Sequence, residues 1–246
     1  MGGGGFTAAP GDPALDDLVL RLTGRARPRV CLLPTAGGDS EHQIRRFYEA
    51  FGDRLCEPSH IALFRLGRRP VPLREHLLAQ DAIYVGGGSL VNLLAIWRAQ
   101  GLDAILEEAW RAGVVLAGLS AGSMCWFEWG VTTSSGAPAV AAGLGFLPGS
   151  NSVHHDSEPA RRPVYLAAVR GGEIPSGWAV DDGAALIFRG TRLAEVVSAR
   201  PAARAYEVTA AGERALARRR LARRDHHDAP PAVAELRRLR LAHLHD

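Results

Sequence analysis

The amino-acid sequence predicts an α/β fold with a mostly parallel sheet flanked by helices. Two patterns carry the expectation. Short apolar, β-branched runs alternate with amphipathic stretches of about 10–15 residues, as βαβ units require. Several of these runs also end in glycine-rich turns that lead into helical periodicity. In order, "RVCLLPTA" (29–36) reads as a strand ending in a Pro/Gly loop, and "SEHQIRRFYEAF" (40–51) as a helix opened by a serine cap. "HIALFRL" (60–66) reads as a second strand and "DAIYVGGGS" (81–89) as a third, followed by the helix "LVNLLAIWRAQ" (90–100). The helix "DAILEEAWRAG" (103–113) precedes the strand "VVLAGLS" (114–120), and another helix starts at Ala121.

Beyond Gly130 the texture changes. "TTSSGAP" (132–138) is a loop, and "GLGFLPGSNSVHHD" (143–156) a strand running into a polar turn. "RRPVYLAAVRGG" (161–172) is a short helix, and residues 177–209 read as two or three antiparallel strands linked by "RGTR" and "RPAAR". Residues 1–210 are thus expected to form a single α/β domain, with 211–246 an Arg/Ala-rich, partly helical extension whose helix follows "DAPPA" (228–232). The segment "GGGG" (2–5) looks like the loop after a first β-strand, yet only Met1 precedes it. Either the fold begins without that strand or the start codon lies inside a longer gene.

Composition narrows the function classes. Of 246 residues, 47% are hydrophobic and 22% charged, ordinary values for a globular chain with a sizeable core. No apolar stretch reaches the length of a membrane span, and the first residues lack the basic start and apolar middle of a secretory signal. The three cysteines (Cys31, Cys56, Cys125) sit apart in apolar runs, which points to buried thiols in a reducing cytoplasm. No Cys/His spacing suggests zinc. All 29 basic residues are arginine, and some of them bunch in 213–227 and 235–245 without interleaved aromatics, so a solvated face or tail is expected there, with no nucleic-acid partner.

The chemistry centres on Gly118-Leu119-Ser120-Ala121-Gly122, a G-x-S-x-G run between an expected strand and helix. Small residues let the backbone turn sharply, and the turn projects the serine into the crevice at the carboxyl ends of the strands. The helix start supplies free N–H groups, Ala121 first among them, with a second donor available from the loop Gly86-Gly87-Gly88. A nucleophilic serine needs a base and an acid. One of His154 and His155, at a strand end in a polar turn, can be the base, and one of Asp181 and Asp182 the orienting carboxylate.

These motifs together resemble the dipeptidase E and cyanophycinase family of serine peptidases. The likeness runs from "GGGGF" and "DPALDDLVLRLTG" (12–24) through "LLPTAGGDS", "YVGGG", "GLSAGSMCWFE", "GLGFLPG", "HHDSEPARRP" and "VDDGAALIF". It implies a three-layer fold like that of class I glutamine amidotransferases. It implies a nucleophile elbow at Ser120, His154 as base and His155 at an aromatic position. It also implies Asp182 as acid, where the family often has glutamate, and an oxyanion hole made by the N–H groups of Gly88 and Ala121. Gly87, Ser89, Arg161 and Arg162 are candidates for substrate binding. Ser89-Leu90 departs from the family's usual Asn-Thr, and preference for an N-terminal aspartate is left open. The expectation is therefore a cytoplasmic peptidase acting on short peptides through an acyl-enzyme, with no metal or organic cofactor and no membrane partner; a homodimer is compatible with the sequence. Two rivals stand. One is an α/β-hydrolase-type esterase pairing Ser120 and Asp182 with His226 or His227, and the other an inactive homologue that only binds peptides.

Overall fold

A computed structural model describes residues 1–8, 13–68 and 70–222. The first half is a four-stranded parallel sheet in the order β2-β1-β3-β4, formed by β1 (Arg29–Leu33), β2 (Glu57–His60), β3 (Ala82–Val85) and β4 (Val115–Gly118). Its central strands are apolar throughout because both faces are covered. Alternation sends Val30 and Leu32 into one core with Phe47 and Phe51 of α2 (Glu41–Phe51) and Val19 of α1 (Ala14–Leu22). Cys31 and Leu33 point the other way, into a core shared with α3 (Leu73–Leu78), α4 (Leu90–Ala99) and α5 (Leu102–Arg111). Helices on both faces of a parallel sheet make the three layers, as the sequence predicts.

The remaining strands form two further sheets. A six-stranded mixed sheet takes the order β12-β11-β8-β7-β5-β6, from β5 (Phe127–Thr132), β6 (Ala139–Ala142), β7 (Leu147–Val153), β8 (Gly177–Val180), β11 (Ala205–Thr209) and β12 (Gly212–Ala215). Strands β5, β7 and β8 run parallel, and the others join antiparallel. A three-stranded sheet contains β9 (Ala184–Arg189), β10 (Arg192–Ser198) and β13 (Arg219–Arg220). The short α6 (Ala121–Met124) follows β4, and α7 (Arg161–Arg170) packs on the mixed sheet. Among the described residues, no helix is long and apolar enough to cross a membrane, and all three cysteines are free and buried.

Several local expectations are corrected. The second strand occupies 57–60 instead of 60–66; after His60 the chain tightens into a 3-10 turn, Leu63–Arg65, anchored where Asp39 Oδ2 accepts from the Phe64 N–H at 2.8 Å. Ser40 precedes its helix as expected, but its hydroxyl caps nothing. The loop expected at 132–138 starts one residue later, since Thr132 closes β5 against Ala139 in the hairpin β5–β6. Strands β10 and β11 flank "RPAAR" without pairing, because the linker carries the chain from the β9 sheet to the β8 sheet. The expected boundary at residue 210 falls inside the β11–β12 hairpin, and Leu221 is buried against Leu18 and Val197, so residues 211–222 belong to the sheets. The helix expected after 228–232, with His226 and His227, lies outside the described residues.

The N-terminal residues thread through the centre of the molecule. Phe6 stacks edge-on against Phe47 and Tyr84, and its N–H donates to Asp16 Oδ1, which also accepts from the Tyr84 hydroxyl. Burial raises the Asp16 carboxyl to about 7, against the smaller opposing pull of Arg54. The folded protein therefore holds a proton that the unfolded chain releases, and this contribution to stability shrinks as pH rises from about 4 towards 7. Urea unfolding at pH 5 and pH 8 is expected to show wild type losing roughly 2–3 kcal/mol more across that interval than Asp16→Asn, which keeps an acceptor but does not titrate.

Candidate active site

The site forms where β4, β7 and the β8–β9 turn deliver their carboxyl ends. After β4 the chain reverses into α6 through Ser120, at φ 55° and ψ −120°. This conformation costs a non-glycine residue about 1–3 kcal/mol and persists only where neighbours enforce it. The reversal depends on backbone contact: a Cβ on Gly118 would stand 1.9 Å from Gly122 O, and one on Gly122 would stand 2.4 Å from Val85 O. The N-terminal segment supplies the other restraint. The Ser120 N–H donates to Gly2 O at 2.9 Å and to Met1 O at 3.2 Å.

Ser120, His154 and Asp182 come together. His154 Nε2 lies 2.8 Å from Ser120 Oγ, and Nδ1 lies 2.6 Å from Asp182 Oδ1. His154 follows β7 directly and also has a positive φ, 57°, with its carbonyl accepting from the Glu158 N–H at 2.8 Å. The His154 and Asp182 side chains keep 19% and 26% of their surface exposed, so solutes can reach them. The bond to His154 is the largest cause holding the Asp182 carboxyl below its ordinary range, and the Ser157 hydroxyl, donating to Oδ2 at 2.8 Å, adds to it. With the acid ionised, Nδ1 carries the proton and Nε2 is free to accept one from Ser120 Oγ.

The glycine loop closes the other side. A Cβ on Gly87 would stand 3.2 Å from Ser120 Cβ, so the loop packs directly on the serine. Gly88 follows with φ 143°, and neither its N–H nor that of Ala121 has an acceptor among the described residues. Gly87 O accepts from Gln43 Nε2 at 3.2 Å. Ser89 caps α4, its hydroxyl accepting from the Asn92 N–H at 3.2 Å.

Other candidates are occupied elsewhere. Arg161 is buried and donates to Val153 O, Thr133 Oγ1 and Glu158 Oε2 at 3.2, 3.0 and 2.7 Å, which ties the strand before His154 to the turn after it. Arg162 pairs with Glu213. Arg161 thus spends its contacts within the chain, and Arg162, half-exposed, offers one nitrogen to Glu213. His155 is buried, 2.9 Å from Glu213 Oε2 and 5.0 Å centroid to centroid from Tyr206, away from Ser120. Asp181 turns inward and accepts from the Arg204 N–H at 2.8 Å. Cys125 is buried and burial pushes its thiol up, so it is no nucleophile.

The groups that hold Asp182 escaped the sequence reading. Asp156 Oδ1 accepts its N–H at 2.8 Å, Arg200 Nε donates to its carbonyl at 2.9 Å, and Arg200 also reaches Asp156 Oδ2 at 3.1 Å. Asp156 and Ser157 follow the histidine pair, a spacing that could have flagged them; nothing local marks Arg200 or Gln43. Gly3 is the remaining hidden element. A Cβ there would stand 2.4 Å from Asp182 Oδ1 and 3.1 Å from His154 Cε1, so only glycine passes beneath the pair.

Comparison with known proteins gives three likenesses. Residues 1–196 match the model of the family described as Peptidase family S51. The chain is 49% identical over 208 residues to the uncharacterized peptidase YgaJ of Bacillus subtilis (strain 168), covering 85% of this chain and 90% of that protein. A crystal structure of a peptidase from an acI-B1 Actinobacterium superposes with a TM-score of 0.68 at 22% identity, over 89% of this chain and 92% of that one, a likeness of fold.

Proposed function

From the premise that the chain belongs to peptidase family S51, we propose that its peptidase chemistry is of the serine type, exercised on short peptides in the cytoplasm. The observation that carries the reading is the relay from Ser120 Oγ to His154 Nε2 at 2.8 Å and from His154 Nδ1 to Asp182 Oδ1 at 2.6 Å. Ser120 Oγ attacks the scissile carbonyl as His154 takes its proton. The N–H groups of Gly88 and Ala121 stabilise the oxyanion, helped by the helix start. His154 then protonates the leaving amine and afterwards activates the water that hydrolyses the acyl-enzyme. Asp182 keeps Nδ1 protonated and stabilises the imidazolium. Every group named belongs to the chain, and no cofactor takes part in these steps.

The esterase alternative would give Ser120 a histidine from the C-terminal tail, but His154 already holds that hydrogen-bonding position. The test is a panel of dipeptides and tripeptides with Asp-first and other N-termini, run beside labelling by a serine-directed phosphonate. Cleavage of at least one member and an adduct on the Ser120 peptide are the expected results. No cleavage and no adduct would overturn the reading in favour of a binding protein.

A further inference from the structure

The loop after β3 is fastened at both ends and loose in the middle. The Gly86 N–H donates to Leu33 O at 3.1 Å, and the Ser89 N–H to Ala36 O at 2.8 Å. The peptide unit between Gly87 and Gly88 has no backbone partner among the described residues. Neither glycine carries a Cβ, so this unit can swivel between its fixed ends at little cost. A Cβ on Gly88 would stand 2.1 Å from Ala36 O, which excludes a stiffer residue there.

The unit's one partner among the described residues comes from α2, where Gln43 Nε2 donates to Gly87 O at 3.2 Å. A carbonyl oxygen only accepts, so the side-chain amide has to present its nitrogen to the loop. Gln43 stands one turn before Phe47, whose burial in the core holds this stretch of α2 in place. The amide also presses on Gly86, where a Cβ would stand 2.3 Å from Oε1 and 3.1 Å from Nε2. Oε1 itself is buried and has no hydrogen-bond partner among the described residues. An unpaired buried acceptor works against stability and offsets the bond to Gly87 O, so on balance the amide contributes little to the fold. Its effect lies in direction. Gly87 O and the Gly88 N–H belong to one trans peptide and point opposite ways, so holding the oxygen against α2 turns the N–H away from α2.

We propose that Gln43 is a positioning residue of the peptidase reaction, its amide latching the Gly87–Gly88 peptide so that the Gly88 N–H stays aimed at the oxyanion. The proposal rests on the serine reading given above. Gln43 touches neither substrate nor reacting atoms and acts through the peptide it holds. With the latch gone, the oxyanion keeps the Ala121 N–H and loses its second donor whenever the unit swivels. The loss falls mainly on the transition state, where the negative charge develops.

Two variants release the latch from opposite sides. Gln43→Met keeps the length of the side chain and removes the donor. Gly86→Ala leaves Gln43 intact but sets a methyl group where its amide lies, and the flexible side chain moves off. Each is expected to lower kcat about 10- to 100-fold, with KM within about threefold, on whichever panel peptide the wild type cleaves. The double variant should lose no more than the larger single loss, because both changes break one contact. Thermal midpoints should stay within about 3 °C of wild type. In the phosphonate adduct, whose oxygen takes the oxyanion position, the Gly88 amide should exchange hydrogen at least about tenfold faster in either variant than in wild type. If one variant does not fold, the same readings on the other decide. A wild type that takes no phosphonate and cleaves no peptide would overturn the serine reading and this proposal with it. A labelled, active wild type whose folded variants keep kcat within threefold, or whose losses multiply in the double variant, would overturn the latch alone. A loss confined to KM with Gly88 exchange unchanged would make Gln43 part of substrate binding and overturn it equally.

Discussion

Ser120→Ala is expected to lower kcat/KM on any cleaved peptide by about four to six orders of magnitude and to abolish phosphonate labelling. Its thermal midpoint should stay within about 3 °C of wild type. The size follows from what is removed. Ser120 Oγ bonds His154 Nε2 and sits directly before the unpaired Ala121 N–H, so without it the proposed relay has nothing to activate. The backbone of the turn is held by Met1 O, Gly2 O and the glycine contacts, none of which uses the hydroxyl. Loss of activity together with loss of fold would leave the serine's role to labelling of the wild type. Retained labelling in a folded variant would remove Ser120 from the mechanism.

Asp182→Asn is expected to cost about four orders of magnitude in kcat with the structure kept. The carboxylate accepts twice, from His154 Nδ1 at Oδ1 and from the Ser157 hydroxyl at Oδ2. Asparagine has one carbonyl oxygen and can satisfy only one of them. If the oxygen stays with Ser157, the amide NH₂ faces Nδ1 and the imidazole proton moves to Nε2, where it blocks acceptance from Ser120. The depressed pKa of Asp182 has a signed consequence too. Its stabilising effect is complete above the ordinary carboxylate range and disappears as pH falls through the lower folded value. Unfolding free energies at pH 7 and pH 3 should therefore fall more steeply for wild type than for the variant. A variant with kcat within tenfold of wild type would sink the acid's role.

How much of this the sequence reveals depends on where the stabilising contacts lie. Strands β1 and β3 are buried on both faces, and together with the half-buried edge strand β4 they read as unbroken apolar runs. Helices α2, α4 and α5 show their stripe over three turns. Strand β2 stays hidden because "EPSH" is a half-exposed edge with no apolar alternation, β12 because "GERA" has none either, and β13 because it is two arginines. Within the site, Ser120 stands out through the glycines the turn requires; strand ends mark only the pairs His154–His155 and Asp181–Asp182, and the choice of His154 and Asp182 comes from the family resemblance. Arg161 looks available from the sequence, since nothing in "HHDSEPARRP" shows that its guanidinium folds back under Val153. Arg200 and Gln43 act from distant segments, so only the three-dimensional arrangement connects them to Asp182 and Gly87.

The bond from the Gly183 N–H to Gly3 O, with Ser120 clasped to Gly2 in between, also says something about the order of events during synthesis. Contacts this far apart along a chain form slowly and late, since the loop between them must close first. The parallel sheet through β4 can assemble while the chain is still emerging, but His154 has no carboxylate to orient it until residue 182 has been made and has met the glycines at the other end. If the relay works as proposed, a nascent chain carries the serine well before it carries the complete relay, and cutting ability arrives only once residues 1–3 and 181–183 have met.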